Sequence, residues 1–489
     1  MTGYLRRLLT TGAAYQAADI VSKGIALILL PIYTRHLTRA DYGTAELLVT
    51  TVILVSIVAR LGVGEALVRF HFLDVDPDRR RKLARTATGS LFIVTTVAAI
   101  VISLLAEPIS HALLDTDQPG VIRAAALGLW AFTNLELAYS LLRVEERARA
   151  FATAALINVG LTVLLTIYLV VIRDDGAIGL LLGNYIASAV VLIGLWWVER
   201  DAFGLRPGGI DRAQLGPMLR FGLPTVPAEV SVFALFFIDR FWLFRFEDPA
   251  EAGLYSIAVK LAGIVVFTVR AFQYAWPPLA YSIEDDAEAS RVYARITTYY
   301  VLFTGVVVAG LVLLGRWLVR IFAAPKFFEA HEALPWVSLG WALYGLFLVL
   351  VAMAGRAQVT VRNAPAALIG LIVNVALLAL LVPSLGIAGA GIALAGAYVV
   401  MLVVMWALIR NLFPVAFEWG RLACFTAVAG GIAIAGELLL PTSGAVGFLT
   451  RAAALAAIPP ALYAARFFRP GELLAVRKLV LRARASAAG

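Results

Sequence analysis

The sequence predicts an all-α integral membrane protein with about fourteen transmembrane helices, and three observations support this prediction. Hydrophobic residues make up 61% of the chain and charged residues only 15%, whereas soluble domains average about 25% charged residues. Apolar runs long enough to cross a bilayer, about 20 residues each, recur along the whole chain between short polar loops. Residues of the first half also recur at a fixed offset in the second half, which predicts two related six-helix lobes.

Each apolar run is assigned to one span, because a helix of about 20 residues crosses the hydrocarbon layer. The predicted spans are 11–34, 43–68, 86–106, 120–142, 152–172, 177–198, 218–244, 252–279, 294–322, 333–354, 364–384, 387–409, 421–441 and 445–466. They predict an N-terminal lobe over 1–215, a C-terminal lobe over 216–415, two additional helices over 416–466 and a cytoplasmic amphipathic tail over 467–489.

An internal repeat relates the two predicted lobes. A shift of 210 residues pairs four glycine or charged residues with counterparts in the second half: Gly12 with Gly222, Asp19 with Glu229, Gly43 with Gly253, and Arg60 with Arg270. Each repeat spans six helices, an even number, so both copies have the same orientation. We therefore expect a pseudo-two-fold axis along the membrane normal, as in transporters built from parallel repeats.

The basic residues predict the orientation of the chain in the membrane. The segment from Arg69 to Arg85 holds six lysines and arginines, and the tail after Tyr463 holds another six. Such residues concentrate in cytoplasmic loops, so both termini are predicted to be cytoplasmic. The N-terminus carries no cleavage site typical of a signal peptide and is predicted to be retained. The lone cysteine, Cys424, excludes an intrachain disulfide.

Ionisable residues inside the spans are the candidate functional residues. A charge near the bilayer centre costs at least about 2.5–3.5 kcal/mol, so such residues mark functional sites by default. They concentrate in spans one, two, seven and eight, and cations predominate. We interpret them as the lining of a water-filled cavity that binds an anionic headgroup such as a diphosphate. The predicted substrate-binding residues are Lys23, Arg60, Lys260 and Arg270, and the predicted ion-coupling residues are Asp19 and Glu229.

The alternative is that charges neutralise one another between packed helices or reach the interface. We favour this structural interpretation for Glu46, Arg240 and Glu437, which lie near span ends, and therefore expect Arg240→Ala to be tolerated. The stretch "FGLPTVPAEV" places Pro224 and Pro227 early in span seven. Proline kinks a helix, which suits a moving element.

Several motifs resemble those of a known family. The segment "LPIYTRHLTRADYGTAELL" followed by "LGVGEALVRF", with a second copy around residues 252–255 and "FGLPTVP" opening span seven, resembles the oligosaccharide flippases of the polysaccharide transporter family. These belong to the multidrug/oligosaccharidyl-lipid/polysaccharide exporter superfamily. The resemblance covers about residues 5 to 410. It implies a V-shaped, two-lobed helical fold in the bacterial inner membrane.

The resemblance also implies a function and partners. It implies alternating access that moves undecaprenyl-diphosphate-linked sugar units from the cytoplasmic to the periplasmic leaflet. Besides this polyprenyl-diphosphate-linked glycan and the lipid bilayer, it allows a glycan polymerase and a chain-length regulator as partners. Lipid II flippases of the same superfamily use arginines of the first, second and eighth helices, where this chain has Lys23, Arg60 and Arg270. Lipid II flipping is therefore the alternative, followed by drug export.

An enzyme is the alternative of a different class, either a polyprenyl-sugar polymerase or a membrane glycosyltransferase. The predicted external loops are short, and Asp74-Val75-Asp76 lies in the basic cytoplasmic loop, where it is interpreted as a solvated turn. The histidines are scattered without metal-ligand spacing, at His36, His71, His111 and His331. No Walker motif is present. We expect a transporter rather than an enzyme, with no metal, no cofactor and no nucleic-acid partner.

Overall fold

The computed structural model describes residues 24–25, 27–73, 76–200, 209–359 and 362–472. Within these ranges the chain is almost entirely helical, and no β-strand occurs. This confirms the predicted all-α fold. A helix suits a membrane segment, because it satisfies its own backbone hydrogen bonds in lipid.

Seventeen helices in the described residues are numbered here in chain order. They are α1 (27–36), α2 (Arg39–Ala59), α3 (Val63–Leu73), α4 (Pro77–Leu104), α5 (Ala106–Leu114), α6 (Pro119–Val144), α7 (Ala148–Thr166), α8 (Gly176–Val198), α9 (Arg212–Gly222), α10 (Val226–Trp242), α11 (Pro249–Ser282), α12 (Asp286–Phe322), α13 (Leu334–Arg356), α14 (Asn363–Ile409), α15 (Trp419–Leu439), α16 (Gly444–Ala456) and α17 (Ile458–Ala464).

Eleven helices in this part of the chain are long and apolar enough to cross a membrane. A bent pair, Arg212–Ser231 with Phe233–Glu247, makes a twelfth candidate, with a bend of 43°. Predicted spans eleven and twelve correspond to the two helical parts of α14, which are separated by a kink at Gly386 (φ 53°, ψ −134°). Predicted span one lies largely outside the described residues, so the count of fourteen stays a prediction.

The protein divides into two compact units. Unit 1 comprises Met1–Lys260, Ile321–Ala330 and Asn374–Ala390. Within it, α6 packs against α4 and α8, and α7 packs against α8. Three aromatic rings join these helices edge to face, with centroids 5.6 to 6.2 Å apart: Phe92, Trp130 and Trp196. This packing gives unit 1 an apolar interior between these helices.

Unit 2 comprises Leu261–Arg320, His331–Val373 and Gly391–Gly489. One of its apolar clusters joins α12 to the C-terminal helices, and its buried members are Ala309, Phe425, Ala429, Ala433, Ile458, Leu462 and Phe467. The first boundary between the two units along the chain falls inside α11, after Lys260. The predicted lobe boundaries at residues 215 and 415 stay predictions.

Two glycines that the repeat pairs, Gly43 and Gly253, lie against each other within unit 1. A Cβ on Gly43 would lie 2.0 Å from the Pro249 carbonyl oxygen, and one on Gly253 would lie 2.1 Å from that of Arg39. Both obstacles are backbone atoms, which cannot rotate away. The start of α2 and the start of α11 therefore touch only because both positions lack a side chain.

Candidate functional site

Arg60 and Glu229 form an ion pair at the end of α2. Arg60 directly follows α2, and Glu229 lies in the first turn of α10. The Arg60 Nη2 atom donates to the Glu229 Oε1 atom at 3.0 Å. Their side chains are 21% and 38% exposed, so the pair is accessible rather than sealed. Sequence analysis assigned these residues separate roles, in substrate binding and in ion coupling, and the structure joins them.

Close backbone contact positions this pair. Gly62 adopts φ +69°, and a Cβ there would lie 2.2 Å from the Gly222 carbonyl oxygen. Only glycine allows both this left-handed conformation and this approach. The chain continues from Gly222 through a 3₁₀ turn, Leu223–Thr225, into α10. The turn after Arg60 is thereby held against the turn that precedes Glu229.

The charges around the pair are unequal. Glu65, on α3, adds a second negative charge close enough to act on Glu229. The Arg60 Nε atom is buried and has no hydrogen-bond partner among the described residues. Glu229 thus uses one N–H donor of the guanidinium group, and the Nε donor stays unused. The site can exchange one anionic partner for another.

A second pair, between Glu46 and Lys260, lies in the same unit. The Lys260 Nζ atom donates to the Glu46 Oε1 atom at 2.5 Å, and the ammonium group lies 5.0 Å from the centre of the Tyr42 ring. The Glu46 side chain is 10% exposed. Lys260 therefore already has a carboxylate partner, which supports the structural interpretation of Glu46.

Arg240 lies beside this pair and is 8% exposed. Its Nε atom donates to the Ser256 hydroxyl at 3.2 Å, and its Nη1 atom donates to the Phe236 carbonyl at 3.1 Å. It is close enough for its charge to act on Glu46. These contacts support the interpretation of Arg240 as a structural charge. Because its side chain is buried, they argue against the expectation that alanine is tolerated there.

Sequence analysis missed one buried acid, Asp239. It is 1% exposed and accepts a hydrogen bond from the Tyr255 hydroxyl at 2.8 Å. Asn374, which is fully buried, lies close to it. The sequence does contain a signal for Asp239, because a second charged residue lies directly beside Arg240 in an apolar helix.

The remaining predicted site residues lie in unit 2 or outside the described residues. Arg270, on α11 in unit 2, is exposed, and its charge acts on the Tyr344 phenol. Lys23 and Asp19 lie outside the described residues. Glu437 in unit 2 bonds to Arg316 at 2.7 Å and also pairs with the buried Arg451, which supports its structural interpretation.

Unit 2 contains a long apolar groove between α12, α13 and α15, with a volume of about 730 Å³. Its lining runs along α12 from Tyr300 to Arg316, about 24 Å at the helical rise of 1.5 Å per residue. Polar groups gather near Arg316, where His331, Glu332 and Glu437 also line the groove. The groove can accommodate a hydrocarbon chain with a polar group at one end.

One exposed group among the described residues has the donor atoms for a metal ion. The ligand atoms of Glu107, His111 and Asp117 all lie within 4.8 Å of one another. Glu107 and His111 are four residues apart on α5, and Asp117 lies in the following loop. Sequence analysis found no metal-ligand spacing, because Asp117 comes close to Glu107 and His111 only in the folded chain.

Comparison with known proteins identifies the family. The pattern that defines the family described as "polysaccharide biosynthesis protein" matches residues 9–283, more than half of the chain. The chain belongs to this family. A curated family relative, the succinoglycan biosynthesis transport protein ExoT of Rhizobium meliloti (strain 1021), is 21% identical over 323 residues. That alignment covers 65% of this chain and 62% of the relative's length.

Solved structures show the same fold for this member of the polysaccharide biosynthesis protein family. The lipid II flippase MurJ, in an inward closed conformation, superposes with a TM-score of 0.72 at 13% identity, covering 96% of this chain and all of that one. An inward-facing multidrug resistance MATE transporter of the MOP superfamily superposes with a TM-score of 0.64 at 16% identity, covering 81% of this chain and 95% of that one.

These comparisons confirm the resemblance inferred from the sequence. The chain is a multi-pass membrane protein of a polysaccharide biosynthesis family, and it shares its fold with the MurJ and MATE structures named above. The relatives named above are described as a transport protein, a flippase and a transporter.

Proposed function

We propose that the protein is a flippase for undecaprenyl-diphosphate-linked oligosaccharides, moving them from the cytoplasmic to the periplasmic leaflet by alternating access. The observation that carries this proposal is the Arg60–Glu229 pair, an accessible guanidinium group set where two apolar segments meet. In a family of polysaccharide biosynthesis, such a group suits the diphosphate that links the glycan to its lipid.

Four cations are the proposed contacts of the diphosphate: Lys23, Arg60, Lys260 and Arg270. Arg60 and Arg270 are the stronger candidates, because a guanidinium group binds phosphate through paired hydrogen bonds. Lys260 is the weaker one, because Glu46 already accepts its hydrogen bond. Asp19 and Glu229 are the proposed ion-coupling groups. With no Walker motif in the chain, the driving force would be an ion gradient or consumption of the flipped product.

The groove in unit 2 supports a lipid-linked substrate. Its length of about 24 Å approaches the thickness of the hydrocarbon layer, about 30 Å. A groove of this length suits a long isoprenoid chain better than an acyl chain confined to one leaflet. We propose that part of the polyprenyl chain occupies it while the glycan crosses the membrane.

The proposed setting is the bacterial inner membrane, with both termini in the cytoplasm and the glycan delivered to the periplasm for cell-surface polysaccharide assembly. A glycan polymerase and a chain-length regulator would consume the product there. These partners follow from the resemblance to oligosaccharide flippases.

Deletion of the gene in its native host tests this function. We expect undecaprenyl-diphosphate-linked oligosaccharide to accumulate, detected by mass spectrometry of extracted lipids, and surface polysaccharide to disappear. The wild-type chain should restore both, whereas Arg60→Ala should not. Unchanged lipid-linked intermediates in the deletion strain would contradict the proposal.

Lipid II flipping is the second candidate, favoured by the superposition with MurJ over 96% of this chain. The same deletion experiment separates the two functions. Accumulation of the peptidoglycan precursor, with arrest of cell growth, would indicate lipid II as the substrate. Drug export is a third candidate, since MATE transporters share the fold, and it predicts drug sensitivity without accumulation of either lipid.

A further inference from the structure

The guanidinium group of Arg60 is only partly used by its partner. One N–H donor, from Nη2, bonds to Glu229 at 3.0 Å. The Nε atom is buried and has no hydrogen-bond partner among the described residues. A phosphate group binds guanidinium best through two parallel hydrogen bonds. The Nε donor is therefore unused, and because it is buried, a phosphate oxygen reaches it only when the groups around it move.

Charge opposes phosphate binding while Glu229 is ionised. In the described part of the chain, the charged groups that act on Glu229 are Arg60, beyond the end of α2, and Glu65, on α3. Glu65 then adds a second negative charge near Glu229. A phosphate that approaches this site meets repulsion from both carboxylates. A proton bound by Glu229 removes one negative charge and weakens its hold on Arg60.

We propose that Glu229 is the resting counter-ion of Arg60, that a substrate phosphate displaces it, and that Glu229 takes up a proton from water as this happens. This inference rests on the proposed function and specifies how one site binds both a phosphate and a proton. The step makes or breaks no covalent bond other than the O–H bond formed on the Glu229 carboxylate. Proton and phosphate binding then promote each other, because coupling between two ligands is reciprocal.

The position of the pair gives this exchange a structural consequence. Glu229 lies in the segment Arg212–Ser231, just before the 43° bend that leads into Phe233–Glu247. The Arg60–Glu229 bond and the Gly62–Gly222 contact both tie the turn after α2 to this segment. Displacement of Glu229 removes the first link and leaves the second, so the bent segment can pivot there.

Binding of inorganic pyrophosphate to the purified full-length chain tests the proposal. Isothermal titration calorimetry in buffers of different ionisation enthalpy measures the protons taken up per pyrophosphate bound. For the wild type we expect net uptake beyond that of Glu229→Gln, and affinity that falls as pH rises, because Glu229 becomes ionised and competes. Glu229→Gln should bind about fivefold more tightly at mildly alkaline pH, the effect of losing one partly exposed competing ion pair.

Two further variants define the proton's site. Glu329→Gln, at an exposed ion pair with Arg39, should keep the wild-type proton uptake. Arg60→Ala should lose pyrophosphate binding. Equal proton uptake and equal affinity in wild type and Glu229→Gln would overturn the exchange, as would the absence of pyrophosphate binding to the wild type. Neither result touches lipid accumulation in the deletion strain, so failure of the proposed function is detected separately.

Discussion

At the scale of single residues, the exposed fraction of a charged side chain distinguishes candidates for substrate binding from charges that stabilise the fold. The Arg60 and Glu229 side chains are 21% and 38% exposed. An ion pair in such a position contributes at most about 1 kcal/mol to stability. Its removal should therefore leave the fold intact, and any loss of activity should report on function.

Alanine at Arg60 or at Arg270 should abolish complementation of the deletion strain at normal protein abundance. Loss of one charge-assisted contact, about 1.5–3 kcal/mol, should slow transport at limiting substrate by roughly one to two orders of magnitude. Arg60→Lys should rescue only partly, since a point charge lacks the planar fork. Complementation assays with immunoblots measure both quantities.

Arg173→Ala is the matched control for these substitutions. Arg173 is 57% exposed and pairs with Asp175 outside the proposed site. The control should complement fully. Full activity of both Arg60→Ala and Arg270→Ala at wild-type abundance would show that a cationic site is not required for transport.

Arg240 belongs to the other class, and its burial reverses the expectation from sequence that alanine is tolerated there. Because the side chain is 8% exposed and bonds to Ser256 and to a backbone carbonyl, Arg240→Ala leaves buried acceptors without a donor. We expect a loss of about 1–3 kcal/mol of stability, seen as lower abundance and a lower thermal unfolding temperature.

The control for Arg240→Ala is Arg245→Ala. Arg245 is 39% exposed and pairs with the exposed Asp115. Its replacement should leave the unfolding temperature close to that of the wild type. If the two variants unfolded at the same temperature, burial would not explain the role of Arg240.

At the scale of helices, close approach of backbones fixes where the segments cross. Gly43 and Gly253 allow α2 and α11 to touch at their starts, and Gly62 and Gly222 do the same beside the Arg60–Glu229 pair. At Gly386 the backbone adopts φ 53° and ψ −134°, a conformation that favours glycine. These glycines determine where membrane segments begin, cross or are interrupted. They do not determine how apolar those segments are.

Gly43→Ala should destabilise the protein by about 1–3 kcal/mol or more, because its new Cβ would lie 2.0 Å from a backbone carbonyl oxygen. Thermal unfolding of the purified protein measures the effect. Gly160→Ala is the matched control, since no heavy atom lies within 4 Å of a Cβ at that helical position. A wild-type unfolding temperature for Gly43→Ala would be incompatible with the contact described here.

At the scale of the whole molecule, the orientation in the membrane is the prediction to test. Reporter fusions after Asp76, Arg206 and Arg484 should report cytoplasm, because the basic segments concentrate on that side. Fusions after Asp117 and Asp174 should report periplasm. A cytoplasmic signal at Asp174 would show that the number of spans in the first half is wrong.

The sequence alone was sufficient for the class of fold and for the family. Hydropathy over about 20 residues is a local property, so each long apolar run predicted its helix without knowledge of any neighbour. The interruption at Gly386 was also predicted, as the boundary between spans eleven and twelve, and the structure has a kink between two helices there. Charge inside apolar runs marked Arg60, Glu229, Lys260 and Arg270 in the same local way.

Only the tertiary structure decided which charges become partners. Arg60 and Glu229 are 169 residues apart in the chain, and Glu46 and Lys260 are 214 residues apart. The energy of a pair depends on the distance between its atoms, and helix packing sets that distance through contacts that no local pattern encodes. For this reason sequence analysis assigned Arg60 and Glu229 to separate roles and missed Asp239. In the structure Arg60 and Glu229 form one accessible pair, and Asp239 is buried.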